Sequence, residues 1–136
     1  MDTKHFMLVD DDDVFNMLHA DLIHQVDPKA NITEYISSSR ALLVIKDAVD
    51  THKPLPDFLF IDIRMPEMSG LELIEALIDL GVDHFRNTRI YVITSSLDGR
   101  DRDKSLAYPI VTDFIVKMIS QEFIKKILEE REMEVS

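Results

Sequence analysis

Apolar residues in this chain fall into short unbroken runs that alternate with longer, spaced series. Phe6, Met7, Leu8 and Val9 lead without interruption into Asp10-Asp11-Asp12-Asp13, the pattern of a buried strand ending in an acidic loop. Beyond it Val14, Leu18, Leu22 and Val26 recur at a spacing of four, with Phe15 beside them. That series stops at Asp27-Pro28 and predicts the first helix. Ile32 to Ile36 reads as a second strand, and Ser37-Ser38-Ser39 as the cap of a helix carrying Leu42, Ile45 and Val49. Pro54-Leu55-Pro56 closes that unit.

Phe58-Leu59-Phe60-Ile61 is apolar at every position, so both of its faces must be covered, as in the centre of a parallel sheet. It stops at Asp62. Ser69 followed by Glu72 forms a capping box, and Leu71, Ile74, Leu77 and Ile78 make a helical stripe that Gly81 ends. A fourth strand, Ile90 to Ile93, ends at Thr94-Ser95-Ser96; after it Arg100 to Ala107 is polar and weakly helical, broken by Pro109. Phe114-Ile115-Val116 makes a fifth strand ending at Lys117, and Ser120 caps a last helix with Phe123, Ile127 and Leu128 inward. Strand and helix alternate five times without a long linker, which predicts a doubly wound α/β sandwich.

In such a sheet ligands bind beyond the carboxyl ends of the strands, near the point where strand order reverses. The polar residues at those ends are Asp10-Asp11, Asp62, Thr94 and Lys117, and they should meet in one crevice. Composition narrows what that crevice can do. A length of 136 residues with 46% hydrophobic content suits one domain with one core. The net charge of −11 repels phosphate backbones and anionic lipid, which argues against direct nucleic-acid binding. The absence of cysteine excludes disulfides, thiolate metal sites and cysteine nucleophiles. The start, Met1-Asp2-Thr3-Lys4-His5, lacks the basic and apolar segments of a signal peptide, and no apolar run approaches a membrane span, so a cytoplasmic location is expected.

Several carboxylates brought together are favourable in their ionised form only with a cation between them, and an all-oxygen cluster suits Mg²⁺. With that ion in place a carboxylate can act as nucleophile towards a phosphoryl group, and a lysine and a hydroxyl can bind its oxygens. Asp62, Lys117 and Thr94 supply these parts. Taken singly, each is ordinary: four aspartates usually form a solvated loop, and a strand-end aspartate often caps the next helix. Their recurrence at four strand ends favours the chemical reading.

These residues resemble a response-regulator receiver domain. The likeness is carried by Leu8-Val9-Asp10-Asp11-Asp12, by Phe60-Ile61-Asp62-Ile63-Arg64-Met65-Pro66-Glu67-Met68-Ser69-Gly70, by Ile93-Thr94-Ser95 and by Asp113-Phe114-Ile115-Val116-Lys117. It implies a flavodoxin-like sheet in the order 2-1-3-4-5 and a single receiver domain over residues 1–136, without an output domain. By position it assigns Asp10, Asp11 and the Arg64 carbonyl to Mg²⁺, Asp62 to phosphorylation, Thr94 and Lys117 to the phosphoryl oxygens, and Phe114 to an aromatic switch. Arg64 and Ser96 fall where the family tunes loss of the phosphoryl group. The implied partners are a sensor histidine kinase or histidine phosphotransfer protein and a downstream protein target. The resemblance implies a signalling domain, rather than an enzyme, able to take phosphoryl groups from small donors and to lose them.

Two features depart from the family pattern. Met118 follows Lys117 where a proline, often in a cis peptide, is usual; a cis bond before a non-proline residue costs about 2.5–4 kcal/mol, so a trans bond is expected. Ile110-Val111-Thr112 stands where Gly-Ala usually precedes the last strand. Two other readings stay open from sequence. Asp10-Asp11-Asp12-Asp13-Val14 also fits the motif of haloacid-dehalogenase-type phosphatases, with Asp10 as nucleophile. A receiver-fold binding module that is never phosphorylated is the second.

Overall fold

The computed structural model describes residues 3–135; Met1 and Asp2, read above for a leader sequence, and Ser136 lie outside the described residues. Five strands, β1 (His5–Val9), β2 (Asn31–Tyr35), β3 (Phe58–Ile61), β4 (Arg89–Thr94) and β5 (Val111–Val116), alternate with five helices. The helices are α1 (Asp13–Val26), α2 (Ser38–Asp50), α3 (Gly70–Leu80), α4 (Gly99–Leu106) and α5 (Gln121–Val135), and a 3₁₀ turn (Val82–Phe85) precedes β4. The strands are all parallel, in the order β2-β1-β3-β4-β5.

Burial follows strand position. All four residues of β3 are buried, whereas the edge strands β2 and β5 are only partly so, since each has one neighbour and a solvent side. Successive side chains feed two core layers. Phe6, Leu8, Phe58, Phe60, Tyr91 and Ile93 face α1 and α5; Met7, Val9, Leu59, Ile61, Val92 and Phe114 face α2 and α3. Strand order reverses at β1, which lies between β2 and β3. The crevice beyond the ends of β1 and β3 is therefore where a site is expected.

Helix α1 departs from its sequence pattern. Val14 and Leu18 are 52% and 38% exposed, while Asn16, His19, Ala20 and Ile23 form the buried face. A spacing of four overshoots the helical turn by about 40° per step, so a series that begins outside reaches the core only at its far end. Polar contacts set the rotation: Asn16 Nδ2 donates to the carbonyls of Asp10 (3.0 Å) and Tyr35 (3.2 Å). The weakly helical stretch 100–107 does form a helix, α4, capped by Asp98, whose side chain accepts from Arg100 N. No helix among the described residues is long and apolar enough to cross a membrane.

Candidate functional site

The four consecutive aspartates take four different positions. Asp10 ends β1, is 5% exposed, and accepts Asp12 N at Oδ1 (3.0 Å). Asp11 is exposed at the mouth of the crevice. Asp12 caps α1 by accepting Val14 N (3.0 Å), and Asp13 begins the helix, where a negative charge suits the dipole. Asp62 ends β3 and is 6% exposed, its N–H held by the Val9 carbonyl at 2.9 Å. One oxygen from each of Asp10, Asp11 and Asp62 lies within 4.8 Å of the other two.

Lys117, after β5, crosses to this cluster. Its Nζ lies 2.6 Å from Asp10 Oδ2 and 3.3 Å from Asp62 Oδ2, with its side chain 5% exposed. It also sits 4.2 Å above the Phe15 ring, a cation–π contact that sequence reasoning did not foresee. The Lys117–Met118 peptide is cis, contrary to the trans bond expected. That expectation weighed the local preference alone. The segment is fixed on both sides by tertiary contacts: Lys117 N donates to the Thr94 carbonyl at 2.8 Å, its ammonium is bound by two carboxylates, and Ile119 is buried.

Thr94 ends β4, is 1% exposed, and accepts Ser96 N at Oγ1 (3.2 Å). The capping box in the sequence is present: Glu72 N donates to Ser69 Oγ and Ser69 N to Glu72 Oε1, fixing the start of α3. Gly70, first in that helix, packs directly on the backbone of Asp62 and Ile63. Arg64 N lies 3.4 Å from Asp62 Oδ1, and its guanidinium reaches away to Asp101. Phe114 is buried in the core layer under α2 and α3, outside the charged contacts.

Three carboxylates against one ammonium leave an excess of negative charge in a half-sheltered crevice, and an all-oxygen donor set of this kind fits a hard divalent cation. Burial pushes the Asp10 carboxyl up from its ordinary 3.8, against the pull of the Lys117 hydrogen bond. For Lys117, burial alone would lower the ammonium, but the Asp10 hydrogen bond and the charges of Asp62 and Asp10 leave it raised above 10.5. It therefore stays charged.

His19 lies behind the cluster, 3% exposed, with Nε2 lacking a hydrogen-bond partner among the described residues. Burial lowers it from 6.5, and the Lys117 charge lowers it further. A lowered histidine contributes stability that is present above 6.5 and is lost as pH falls through the folded value, because the unfolded chain takes the proton first. Asp10, raised, acts in the opposite sense, so the His19 part is read as a difference between variants. The thermal midpoint of the wild type should drop more steeply below pH 6.5 than that of His19→Gln. Parallel curves would show that His19 is not held neutral.

Fold and site together define a class: a doubly wound α/β domain with a buried carboxylate–lysine crevice at its switch point. The chain belongs to the response regulator receiver domain family, whose profile matches residues 6–129. Among solved structures it is similar to a two-component response regulator from Cytophaga hutchinsonii (24% identity, TM-score 0.86, covering 96% of this chain and 98% of that one). It is also similar to a response regulator receiver protein from Dyadobacter fermentans (19%, TM-score 0.80, 95% and 98%). A third is the chemotaxis response regulator CheY4 of Vibrio cholerae (19%, TM-score 0.72, 96% and 99%). No curated protein matches the sequence.

Proposed function

We propose that the chain is a phosphoryl-accepting receiver of a two-component or phosphorelay system, with Asp62 as acceptor. The observation that carries this is the Lys117 ammonium shared between Asp10 and Asp62 at the ends of three strands. The donor is a histidine kinase or a histidine phosphotransfer protein, the location is the cytoplasm, and the output is a change in protein contacts. An Asp62 carboxylate oxygen attacks phosphorus as the bond to the donor imidazole breaks, and the imidazole nitrogen keeps the electron pair. Asp10, Asp11, Asp62 and the Arg64 carbonyl would hold Mg²⁺, which when bound neutralises charge on the phosphoryl oxygens.

Lys117 binds one phosphoryl oxygen. Thr94, whose Oγ1 already accepts Ser96 N, has its hydroxyl proton left to donate to another. Phe114, buried and without a hydroxyl, would respond only through ring packing. Leu97, Val116 and Met118 are exposed apolar residues at or just beyond the carboxyl ends of β4 and β5, and they suit a protein target. The oxygens of Asp10 are held more closely, by Asp12 N at 3.0 Å and Lys117 at 2.6 Å, than those of Asp62, which face Arg64 N at 3.4 Å and Lys117 at 3.3 Å, and this favours Asp62 over Asp10 as nucleophile.

The test is incubation with acetyl phosphate and Mg²⁺ followed by intact mass. The wild type should gain one phosphoryl group and Asp62→Asn none. No gain in the wild type, or a gain that persists in Asp62→Asn, overturns the proposal.

A further inference from the structure

Asp101 lies in the first turn of α4 and gathers the two loops that flank Asp62. Its Oδ2 accepts Arg64 Nη2 at 2.7 Å and Ser96 Oγ at 2.5 Å. Arg64 stands two residues beyond Asp62, with its N–H 3.4 Å from Asp62 Oδ1. Ser96 stands two beyond Thr94 and donates its N–H to Thr94 Oγ1. A single carboxylate oxygen thus ties the loop after β3 to the loop after β4. The Asp101 side chain is 16% exposed and the Arg64 side chain 63%, so the carboxylate is the fixed end and the guanidinium the movable one. The Ser96 hydrogen bond holds the Asp101 carboxyl below the usual range, and the Arg64 guanidinium adds to this, so Asp101 is charged when it holds Arg64.

Besides its Asp98 cap, α4 has little apolar burial to secure it. Its sequence, Gly99 to Leu106, is mostly charged, and its buried residue is Ser105, whose hydroxyl donates to the Asp101 carbonyl at 2.7 Å. Arg100 is occupied by Asp98, at 2.8 Å. With so small an apolar contribution, the ties through Asp101 weigh heavily in fixing the first turn of the helix.

We propose that Asp101 is a positioning residue: it holds Arg64 away from Asp62 in the unmodified domain and yields it to the phosphoryl group, so that modification of Asp62 unties α4. The proposal rests on the reading of Asp62 as acceptor. A phosphoryl group brings a charge of about −2 and a set of oxygens that a guanidinium can bind in pairs. Arg64 starts two residues away from it. The contact to be given up is half exposed and correspondingly weak, a factor of no more than roughly five. Thr94, drawn towards the same group, would pull on Ser96, the second partner of the same Asp101 oxygen. Both ties therefore loosen in one event, in the segment that carries the exposed Leu97.

The experiment uses fluoroberyllate with Mg²⁺ as a stable phosphoryl mimic, with affinity and amide exchange measured on the wild type, Asp101→Ala, Asp101→Asn, Arg64→Ala and the double variant Arg64→Ala/Asp101→Ala. Freed of its competitor, Arg64 should make Asp101→Ala and Asp101→Asn bind the mimic roughly two- to fivefold more tightly. Arg64→Ala should bind it more weakly, and Asp101→Ala should add nothing in that background. Amides of 100–107 should exchange faster when the wild type binds the mimic, and fast already in unliganded Asp101→Ala. Wild-type affinity in both Asp101 variants, or a gain of the same size without Arg64, overturns the proposal while leaving Asp62 as acceptor. A wild type that binds no fluoroberyllate overturns both.

Discussion

Gly70→Ala is expected to cost about 3 kcal/mol, at the upper end of overpacking effects, and to lower the thermal midpoint by roughly 10 °C. A Cβ at this position would lie 2.3 Å from the Asp62 carbonyl oxygen and 2.7 Å from the Ile63 Cα. Those are backbone atoms, so no side chain can rotate aside; either α3 moves off the sheet or the loop after β3 shifts. The loop is poorly able to shift, because Gly70 N donates to the Ile63 carbonyl (3.1 Å) and Asp62 N to that of Val9 (2.9 Å). Glycine is required here for close approach rather than for an unusual φ. Gly99→Ala makes the control: nothing lies within 4 Å of its Cβ, and replacing a helical glycine by alanine should be neutral or stabilise by roughly 0.5–1 kcal/mol. Urea melts of the two variants check the contrast. Equal midpoints would mean that α3 is not seated on Asp62 as described.

The sequence made the central strands legible because β3 has no polar residue and each strand ends in a charged or hydroxyl residue. Asp10, Asp11, Asp62, Thr94 and Lys117 stand out for the same reason: they interrupt apolar runs at the carboxyl ends of four of the five strands. Residues that act from inside helices were not legible. Asn16 and His19 lie on the buried face of α1, but the spacing of Val14, Leu18, Leu22 and Val26 pointed to a different face. Two hydrogen bonds from one asparagine outweighed that pattern, and no periodicity rule counts them. A buried polar pair beside an acidic loop is a signal only once the loop is known to be a site.

Asp101 was hidden for a different reason. It lies in a run of charged residues that reads as a solvated face, and its partners Arg64 and Ser96 are 37 and 5 positions away. Long-range pairing of this kind depends on where β3 and β4 end relative to α4, which follows from the register of the sheet. The cis Lys117–Met118 peptide belongs with it. A local cost decided the sequence expectation, whereas the structure reflects contacts made by residues on either side of the bond.

Lys117→Met is expected to cost about 3 kcal/mol or more in the absence of divalent ions, and much less with Mg²⁺ in excess. Removing one partner of a buried ion pair leaves the other charge uncompensated, and here two carboxylates lose the same cation. The Phe15 ring loses its cation as well. The ammonium is raised above 10.5, so its contribution is fully present below that pH and is lost only in strong alkali; neutral buffers measure all of it. A cation bound among Asp10, Asp11 and Asp62 would replace part of the missing charge, and binding to the folded state alone stabilises by mass action. The midpoint of Lys117→Met should therefore rise with Mg²⁺ more steeply than that of the wild type. Adding Asp10→Asn should recover much of the loss without the ion, because one of the two stranded charges is gone. Thermal melts in chelator and in excess Mg²⁺ decide the matter. If Lys117→Met loses the same stability in both, a cation among the three aspartates does not replace what Lys117 supplies, and the charge argument fails.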